Sequence, residues 1–231
     1  MNQVEFKEAL IGLTIDATDS VLASFDRYAQ LLVEKNKVMN LTAITDREEI
    51  NEKHFYDSLL LYPFVKDKLS LCDVGSGAGF PGLVLAIVIP SCEITLLEPT
   101  LKRCNFLNEV ISDLGLKNVI VVNQRAEDFS QKRESYDIVT ARAVANLNLL
   151  SELCLPLVKV NGLFIAMKGS KGLEEVDEAS KAICVLGGAV RSCERSLLSD
   201  DSLRYNIIIE KEKKSPAKYP RAYGAMKKRP L

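Results

Sequence analysis

The sequence contains no tryptophan and only one histidine, His54, among its 231 residues. Its six cysteines form no CxxC pair, so the clustered ligands of a zinc site are missing and we expect no metal. No apolar run approaches the roughly 18 residues of a membrane span, and the first ten residues lack a signal-peptide pattern. Because the cysteines lie mostly in apolar runs, we expect reduced core thiols in a cytoplasmic protein.

The chain also has little net charge, −1, but that charge is unevenly distributed. From Lys211 to the end, eight lysine and arginine side chains accompany the single Glu212. Such a segment is often only solvated, yet it is also typical of a segment that contacts phosphates. We expect a basic C-terminal tail at 213–231 that its prolines keep extended, and the alternative is that Tyr219 and Tyr223 pin it onto the domain.

Apolar residues at helical spacing predict helices over 3–13 and 19–35, and a third from Asp46 to Leu61 that Pro63 ends. Together they predict an N-terminal helical cap over residues 1–65. From residue 66 to 212 strands and helices alternate, which predicts an α/β domain with a mostly parallel sheet and helices on both faces. The last two strands are joined by a short link, which predicts an antiparallel pair. Strands are predicted at 69–74, 93–98, 119–123, 136–141, 162–168, 190–196 and 205–211, and helices at 81–89, 100–114, 146–158 and 173–186.

A glycine-rich stretch, LCDVGSGAGFPG at 71–82, lies where the first of these strands gives way to a helix. Gly75, Gly77 and Gly79 permit positive φ and close approach of a ligand to backbone N–H groups. The spacing matches the dinucleotide fingerprint GxGxxG, but Asp73 precedes the first glycine by two residues. A pyrophosphate disfavours a carboxylate there, whereas a ligand with an ammonium and a sulfonium group tolerates it. The loop therefore favours S-adenosylmethionine, and the alternative role for Asp73 is to cap the loop.

Ligands of such sheets lie beyond the carboxyl ends of the strands, so the strand ends supply further candidates. Glu98 ends the second strand, where it can accept hydrogen bonds from two ribose hydroxyls or cap the next helix. Ala126 and Glu127 follow the third strand, where they can border an adenine ring or form a surface turn. Arg142 and Lys168 end the fourth and fifth strands, either as two cations at the mouth of the site or as packing salt bridges.

Segments along nearly the whole chain resemble the bacterial 16S ribosomal RNA 7-methylguanosine methyltransferases, also called the glucose-inhibited division protein B family. Their combination is far more specific than the glycine loop alone. The matching segments are NLTAI at 40–44, KHFYDSLL at 53–60, DVGSGAGFPGL at 73–83, KRCNFL at 102–107, RAEDF at 125–129, YDIVTARAV at 136–144, LPLVKVNGLFIAMKG at 155–169 and KYPR at 218–221.

The resemblance implies a Rossmann-like class I methyltransferase with a seven-stranded, mostly parallel sheet and an N-terminal helical extension. It also implies S-adenosylmethionine as methyl donor, and ring nitrogen seven of a guanine in 16S rRNA or the small ribosomal subunit as the target; we expect a monomer. Carried over by motif, the cofactor contacts are Gly75, Phe80, Ala126, Glu127 and Arg142, to which the arguments above add Gly77 and Glu98. The candidate RNA-binding residues are Lys168, Lys218 and Arg221.

Guanine N7 has an in-plane lone pair and no proton to lose, so its methylation needs alignment and a favourable field more than a general base. We therefore assign no catalytic residue. The target base must leave its stack, and Phe80 or Tyr223 can stack on it. The alternatives are a small-molecule methyltransferase on the same sheet, a nicotinamide dehydrogenase, for which Asp73 is badly placed, and an RNA-binding scaffold without activity.

Overall fold

The structure, a computed structural model, describes residues 1–142 and 144–231, so Ala143 of the matched segment at 136–144 lies outside the described residues. Seven strands form one sheet: β1 (Ser70–Val74), β2 (Glu93–Leu97), β3 (Val119–Val122), β4 (Tyr136–Arg142), β5 (Val158–Lys168), β6 (Gly188–Leu197) and β7 (Leu203–Lys211). Their order is β3-β2-β1-β4-β5-β7-β6, and β7 runs antiparallel to both of its neighbours. The sheet confirms the predicted seven-stranded, mostly parallel architecture and the antiparallel final pair.

Ten α-helices lie among the described residues, and helices pack on both faces of the sheet. They are α1 (Gln3–Gly12), α2 (Asp19–Met39), α3 (Arg47–Ile50), α4 (Asp57–Leu59), α5 (Tyr62–Val65), α6 (Gly82–Val88), α7 (Leu101–Asp113), α8 (Leu147–Cys154), α9 (Gly172–Val185) and α10 (Tyr223–Lys228). Because both faces are covered, the inner strands are mostly apolar, and β1 is buried from Leu71 to Val74, including Asp73.

Two boundaries differ from the sequence prediction around residue 158. The helix predicted at 146–158 ends at Cys154, because Pro156 has no N–H with which to continue the helical hydrogen bonds, and Leu155–Leu157 forms a single 3-10 turn. Strand β5 then begins at Val158 instead of residue 162 and passes through Asn161, whose φ is +68°. Asn tolerates this left-handed conformation, so the strand continues through the irregularity.

The third N-terminal helix is also divided. Helix α3 is followed by one π-helical segment, Asn51–Tyr56, and then by α4, which ends at Leu59. The prediction that Pro63 ends this helix is wrong, since Pro63 lies in the first turn of α5, where its missing N–H is tolerated. The π-helical segment carries Lys53 and His54 toward the sheet, as described below.

The N-terminal helical layer, residues 1–65, shares its hydrophobic core with the sheet. Phe6 and Phe25 meet edge to face with ring centroids 5.1 Å apart, and Phe25 in turn contacts Phe55. The same continuous cluster of buried residues includes Ile138 of β4 and Ile165 of β5. The layer is therefore part of the same hydrophobic core as the sheet, and residue 65 marks a change of secondary structure within it.

The tail at 213–231 folds back on the opposite face of the sheet. Met226 of α10 is fully buried, and Tyr219 is almost so, in the cluster that contains α8 and α9. Arg221 makes a two-pronged ion pair with the buried Glu152 of α8, at 2.8 Å from Nε and 2.6 Å from Nη2. The expectation of an extended tail is therefore wrong, and the aromatic anchoring that was its alternative is observed.

Candidate active site

The glycine loop adopts the backbone that its sequence predicts, with φ of +72° at Gly75, +59° at Gly77 and +101° at Gly79. Its N–H groups, however, are used inside the protein. Gly75 donates to the Leu97 carbonyl at 2.8 Å, and Gly77 donates to a Glu98 carboxylate oxygen at 3.0 Å. The loop therefore shapes the site, but the N–H groups of Gly75 and Gly77 are not free to bond a ligand.

Asp73 lies beneath this loop. Its carboxylate is fully buried, accepts a hydrogen bond from the Gly82 N–H at 2.9 Å, and has one oxygen without a partner among the described residues. Burial raises the pKa of Asp73 to about 7, against the opposing effects of the Gly82 N–H and the Arg142 charge. Asp73 thus supports the loop from below, the capping role that was its alternative.

Glu98 holds the loop from the side. One carboxylate oxygen accepts from Gly77 and the other accepts from the Thr100 N–H at 2.8 Å, at the start of α7. The side chain is almost fully buried, and Arg103 approaches it at 3.8 Å. This geometry matches the helix-capping alternative for Glu98, while its contact with a ribose stays a prediction.

A recess of about 190 Å³ opens beyond β2 and β3. It is lined by Ala126 and Glu127 of a single 3-10 turn and by the apolar side chains of Leu97 and Pro99. Tyr223 of the C-terminal helix also lines it. We call this the adenosine recess, after the part of the cofactor that the sequence analysis expects near Ala126 and Glu127.

A second recess, of about 200 Å³, lies on the other side of the loop. It is lined by Gly75, Gly77, Phe80, His54 and Arg142, among others. Phe80 is itself almost buried, because its ring stacks on His54 with centroids 4.4 Å apart and faces Tyr28 on the other side at 5.6 Å. Phe80 is therefore a wall of this recess, occupied on both ring faces.

Arg142 joins the fourth strand to the N-terminal layer. Its guanidinium donates to the Lys53 carbonyl at 3.1 Å and to the Asp57 carboxylate at 3.2 Å, and it lies 4.8 Å above the centre of the Phe80 ring. Burial and the Arg142 charge lower the pKa of the neighbouring His54 to about 3, so this imidazole is neutral at physiological pH. The π-helical segment supplies Lys53 and His54, and α4 supplies Asp57.

A larger cleft of about 600 Å³ extends from Arg142 along the ends of β5 and β7. The three cavities share lining residues. The cleft shares His54 and Arg142 with the second recess and Val144 with the adenosine recess, and the two recesses share Gly75. Arg142 therefore borders both the large cleft and the second recess.

The polar groups of the cleft include a residue that sequence analysis missed. Asn206 of β7 is only 4% exposed and lines the cleft, and no hydrogen bond to its side-chain amide occurs within residues 1–142 and 144–231. Lys168, by contrast, is tied down by the Ala145 carbonyl at 2.6 Å and Glu175 at 2.7 Å. The signal for Asn206 was a polar residue in the otherwise apolar run 206–209.

The candidate RNA-binding residues of the tail lie apart from the cleft. Lys218 is exposed, with its ammonium 5.2 Å from the centre of the Tyr219 ring. Arg221 is held by Glu152 as described above. The RNA contacts of Lys168, Lys218 and Arg221 stay predictions, and for Lys168 and Arg221 the ion pairs already supply a structural role.

Other features bear on what the site can hold. No helix among the described residues has the length and apolarity to cross a membrane. Within residues 1–142 and 144–231 there is no group of three or more histidine, cysteine or acidic side chains placed to hold a metal ion. All six cysteines are free thiols.

Similarity to known proteins covers the whole chain. Residues 21–203 match the model of the family described as rRNA small subunit methyltransferase G. The chain is 48% identical, over an alignment of 242 residues that covers all of both chains, to the ribosomal RNA small subunit methyltransferase G of Ligilactobacillus salivarius. It is 51% identical over 224 residues to that of Staphylococcus carnosus, covering 94% of this chain and 93% of the other.

Solved structures at low sequence identity share the fold. A precorrin-6y C5,15-methyltransferase from Geobacter metallireducens superimposes with a TM-score of 0.53 at 17% identity, over 73% of this chain and 90% of that one. An SAM-dependent O-methyltransferase from Thermotoga maritima gives 0.55 at 18% identity, over 80% and 72%. The fold is thus that of class I methyltransferases, and on its full-length sequence similarity this chain belongs to the rRNA small subunit methyltransferase G family.

Proposed function

We propose that this protein transfers a methyl group from S-adenosylmethionine to ring nitrogen seven of a guanine in small-subunit rRNA. The observation that carries the proposal is a row of three neighbouring cavities at the glycine loop: the large cleft and the second recess share Arg142, and the second recess and the adenosine recess share Gly75. Two small recesses flank the glycine loop, and the large cleft opens beside them. Family membership over the full chain supports the rRNA substrate, and the alternative of a small-molecule substrate is not favoured.

The residues around the glycine loop fit an adenosine-bearing cofactor. A Cβ added at Gly75 would stand 2.6 Å from a methyl group of Val144, so a side chain here would displace a residue that lines the same recess. Leu97, Pro99 and Ala126 offer apolar walls to a planar ring, and Arg142 and Phe80 would border the methionine part of the molecule. When bound, S-adenosylmethionine supplies an electrophilic methyl group.

The cleft suits a base that has left its stack. Among its lining residues are four cations, Lys53, Arg142, Lys168 and Arg204, each of which is paired with a carboxylate of the protein. Cationic side chains of this kind can exchange such partners for the phosphates of an RNA backbone. The side-chain amide of Asn206 offers both a donor and an acceptor to the edge of a purine. We therefore assign Asn206 to recognition of the target base.

Methylation of guanine N7 does not require a residue of the cleft to remove a proton from the base. Guanine N7 presents a lone pair in the ring plane, so the protein has to orient the base and keep that lone pair unprotonated. His54 is neutral at physiological pH and its ring already bonds the Thr42 hydroxyl at 2.8 Å, so it holds the wall of the cleft. We assign positioning to the chain and no general base, and we expect a cytoplasmic monomer.

Labelled methyl transfer tests the proposal. Small-subunit rRNA without modifications, alone and within reconstituted subunits, is incubated with the protein and methyl-labelled S-adenosylmethionine, and the labelled nucleoside is identified by mass spectrometry. We expect 7-methylguanosine at a single position and a loss of transfer in Asn206→Ala with unchanged cofactor affinity. Label on another base, or on no RNA in either preparation, would overturn the proposal.

A further inference from the structure

The C-terminal tail contributes an aromatic ring to the adenosine recess. Tyr223 lies at the recess with Leu97, Pro99 and Ala126, although it is about a hundred residues further along the chain. Each of the other three follows or ends a strand of the parallel sheet. Of these four residues, only Tyr223 belongs to the basic C-terminal tail predicted at 213–231.

Two anchors fix the position of this ring. Arg221, two residues before it, is held by the buried carboxylate of Glu152, and Met226, three residues after it, is fully buried. Leu153, the neighbour of Glu152 on α8, also lines the recess. The helix that carries Tyr223 is therefore attached to the same element that forms the floor of the recess.

A second planar group lies against the ring. The Arg125 guanidinium is 5.7 Å from the centre of the Tyr223 ring, and Arg125 lines the same recess. Its side chain is 57% exposed and is paired with Glu127 at 3.4 Å, so it can shift without disturbing the core. Aromatic rings and arginine guanidinium planes both stack on nucleobases.

We propose that Tyr223, with Arg125 on its outer side, closes the adenosine recess and makes the C-terminal tail part of the cofactor site. This inference rests on the proposed function, because it takes the adenine ring to lie in that recess. Base stacking on an aromatic side chain is worth roughly 1–3 kcal/mol by alanine substitution, which corresponds to about a five- to 150-fold change in affinity. Tyr223 acts on cofactor affinity.

Calorimetric titration of the full chain with S-adenosylhomocysteine and with S-adenosylmethionine tests the proposal. We expect Tyr223→Ala to weaken both ligands at least fivefold, and Tyr223→Phe, which keeps the ring, to bind within about twofold of the natural protein. Lys228→Ala, on the exposed side of the same helix, is the matched control and should bind normally. Normal affinity in Tyr223→Ala would overturn the assignment.

A variant that unfolds cannot decide the question, so melting curves accompany each titration. Arg125→Ala removes an exposed side chain and should leave the melting temperature unchanged while weakening both ligands about threefold or more. If Tyr223→Ala unfolds, normal binding by Arg125→Ala overturns the assignment. A natural protein that binds neither ligand would contradict the proposed function itself, which separates that failure from a failure of this inference.

Discussion

Arg142 is the residue on which the N-terminal layer, the sheet and the cavities depend together. It bonds the Lys53 carbonyl and Asp57 and covers the Phe80 ring, while Arg204 approaches the same Asp57 carboxylate at 3.4 Å. The guanidinium is planar and makes several bonds in fixed directions, which an ammonium group cannot reproduce. We therefore expect a lysine at position 142, which keeps the charge but not the planar guanidinium, to be a poor replacement for Arg142.

We predict that Arg142→Lys lowers cofactor affinity and methyl transfer together, by about tenfold or more, because charge is kept but the forked bonding is lost. Arg204→Ala is the control, since it also removes a bond to Asp57 but borders only the large cleft. It should lower methyl transfer and leave cofactor affinity intact. Equal cofactor affinity in both variants, as measured by calorimetry, would contradict the role of Arg142 in the cofactor site.

Asp73 predicts a dependence of stability on pH. Its folded pKa of about 7 lies above the value near 4 of an unfolded aspartate, so between these limits the folded chain binds a proton that the unfolded chain has lost. Stability from this group is fully present below about pH 4 and falls as pH rises toward 7. Asp73→Asn keeps an oxygen for the Gly82 N–H and removes the titration.

The measurement for Asp73 is a pair of melting curves at pH 5 and pH 8 for each protein. Other groups titrate alike in the two proteins, so their contributions cancel in the comparison. We expect the melting temperature of Asp73→Asn, relative to that of the natural protein, to be higher at pH 8 than at pH 5. A constant difference at the two pH values would show that Asp73 is ionised throughout.

Among the elements, the glycine loop separates the second recess from the adenosine recess, and its Gly75 lines both. Its conformation requires positive φ, and the space beside Gly75 is filled by Val144. We predict that Gly75→Val blocks the border of the two recesses and abolishes detectable binding of S-adenosylmethionine while the sheet still folds.

The control for the effect of backbone strain alone is Gly115→Val. Gly115 also has a positive φ, +64°, but no neighbouring side chain that the structure describes fills the space beside it. A Cβ added there would have no atom of the described residues within 4 Å beyond its chain neighbours. Gly115→Val should lose stability to a similar extent and bind the cofactor normally. Binding by Gly75→Val equal to that of Gly115→Val, in the same titration, would remove the loop from the site.

The sheet and the glycine loop could be predicted from the sequence, but the side chains that hold the loop could not. Alternation of apolar runs and the glycines predicts the sheet and the loop because these depend on neighbouring residues. The partners of the loop do not follow in the same way, since Gly77 meets Glu98 only after β1 and β2 pair. Asn206 was missed because one polar residue in a strand has no periodic signal, and the folded tail was missed because its anchor, Glu152, lies in another element.

At the scale of the whole molecule, the π-helical segment is joined to the loop between β6 and β7. Glu52 is buried, and its carboxylate accepts from the Ser199 N–H at 2.5 Å and from the Ser199 hydroxyl at 2.6 Å. The neighbouring Lys53 pairs with Asp200 at 3.0 Å. These contacts hold the N-terminal layer over the large cleft.

We predict that Glu52→Ala lowers the free energy of unfolding by roughly 1–3 kcal/mol, because two donors of Ser199 lose a buried charged acceptor. Glu48→Ala, an exposed carboxylate one turn earlier, should change it by less than about 0.5 kcal/mol. Urea denaturation of both variants gives the comparison. Equal stability of the two would mean that this junction contributes nothing to holding the layer in place.

The place of β7 between β5 and β6 has a consequence for synthesis on the ribosome. The segment of β6 emerges before that of β7, with which it pairs, so for roughly one to three seconds at 5–20 residues per second β5 and β6 both present open edges. Open edges pair readily with other chains, and a chain released after residue 202 should therefore be recovered in aggregates. The nascent protein is most vulnerable in the interval between β6 and β7, when the strand that completes the sheet is still being delivered.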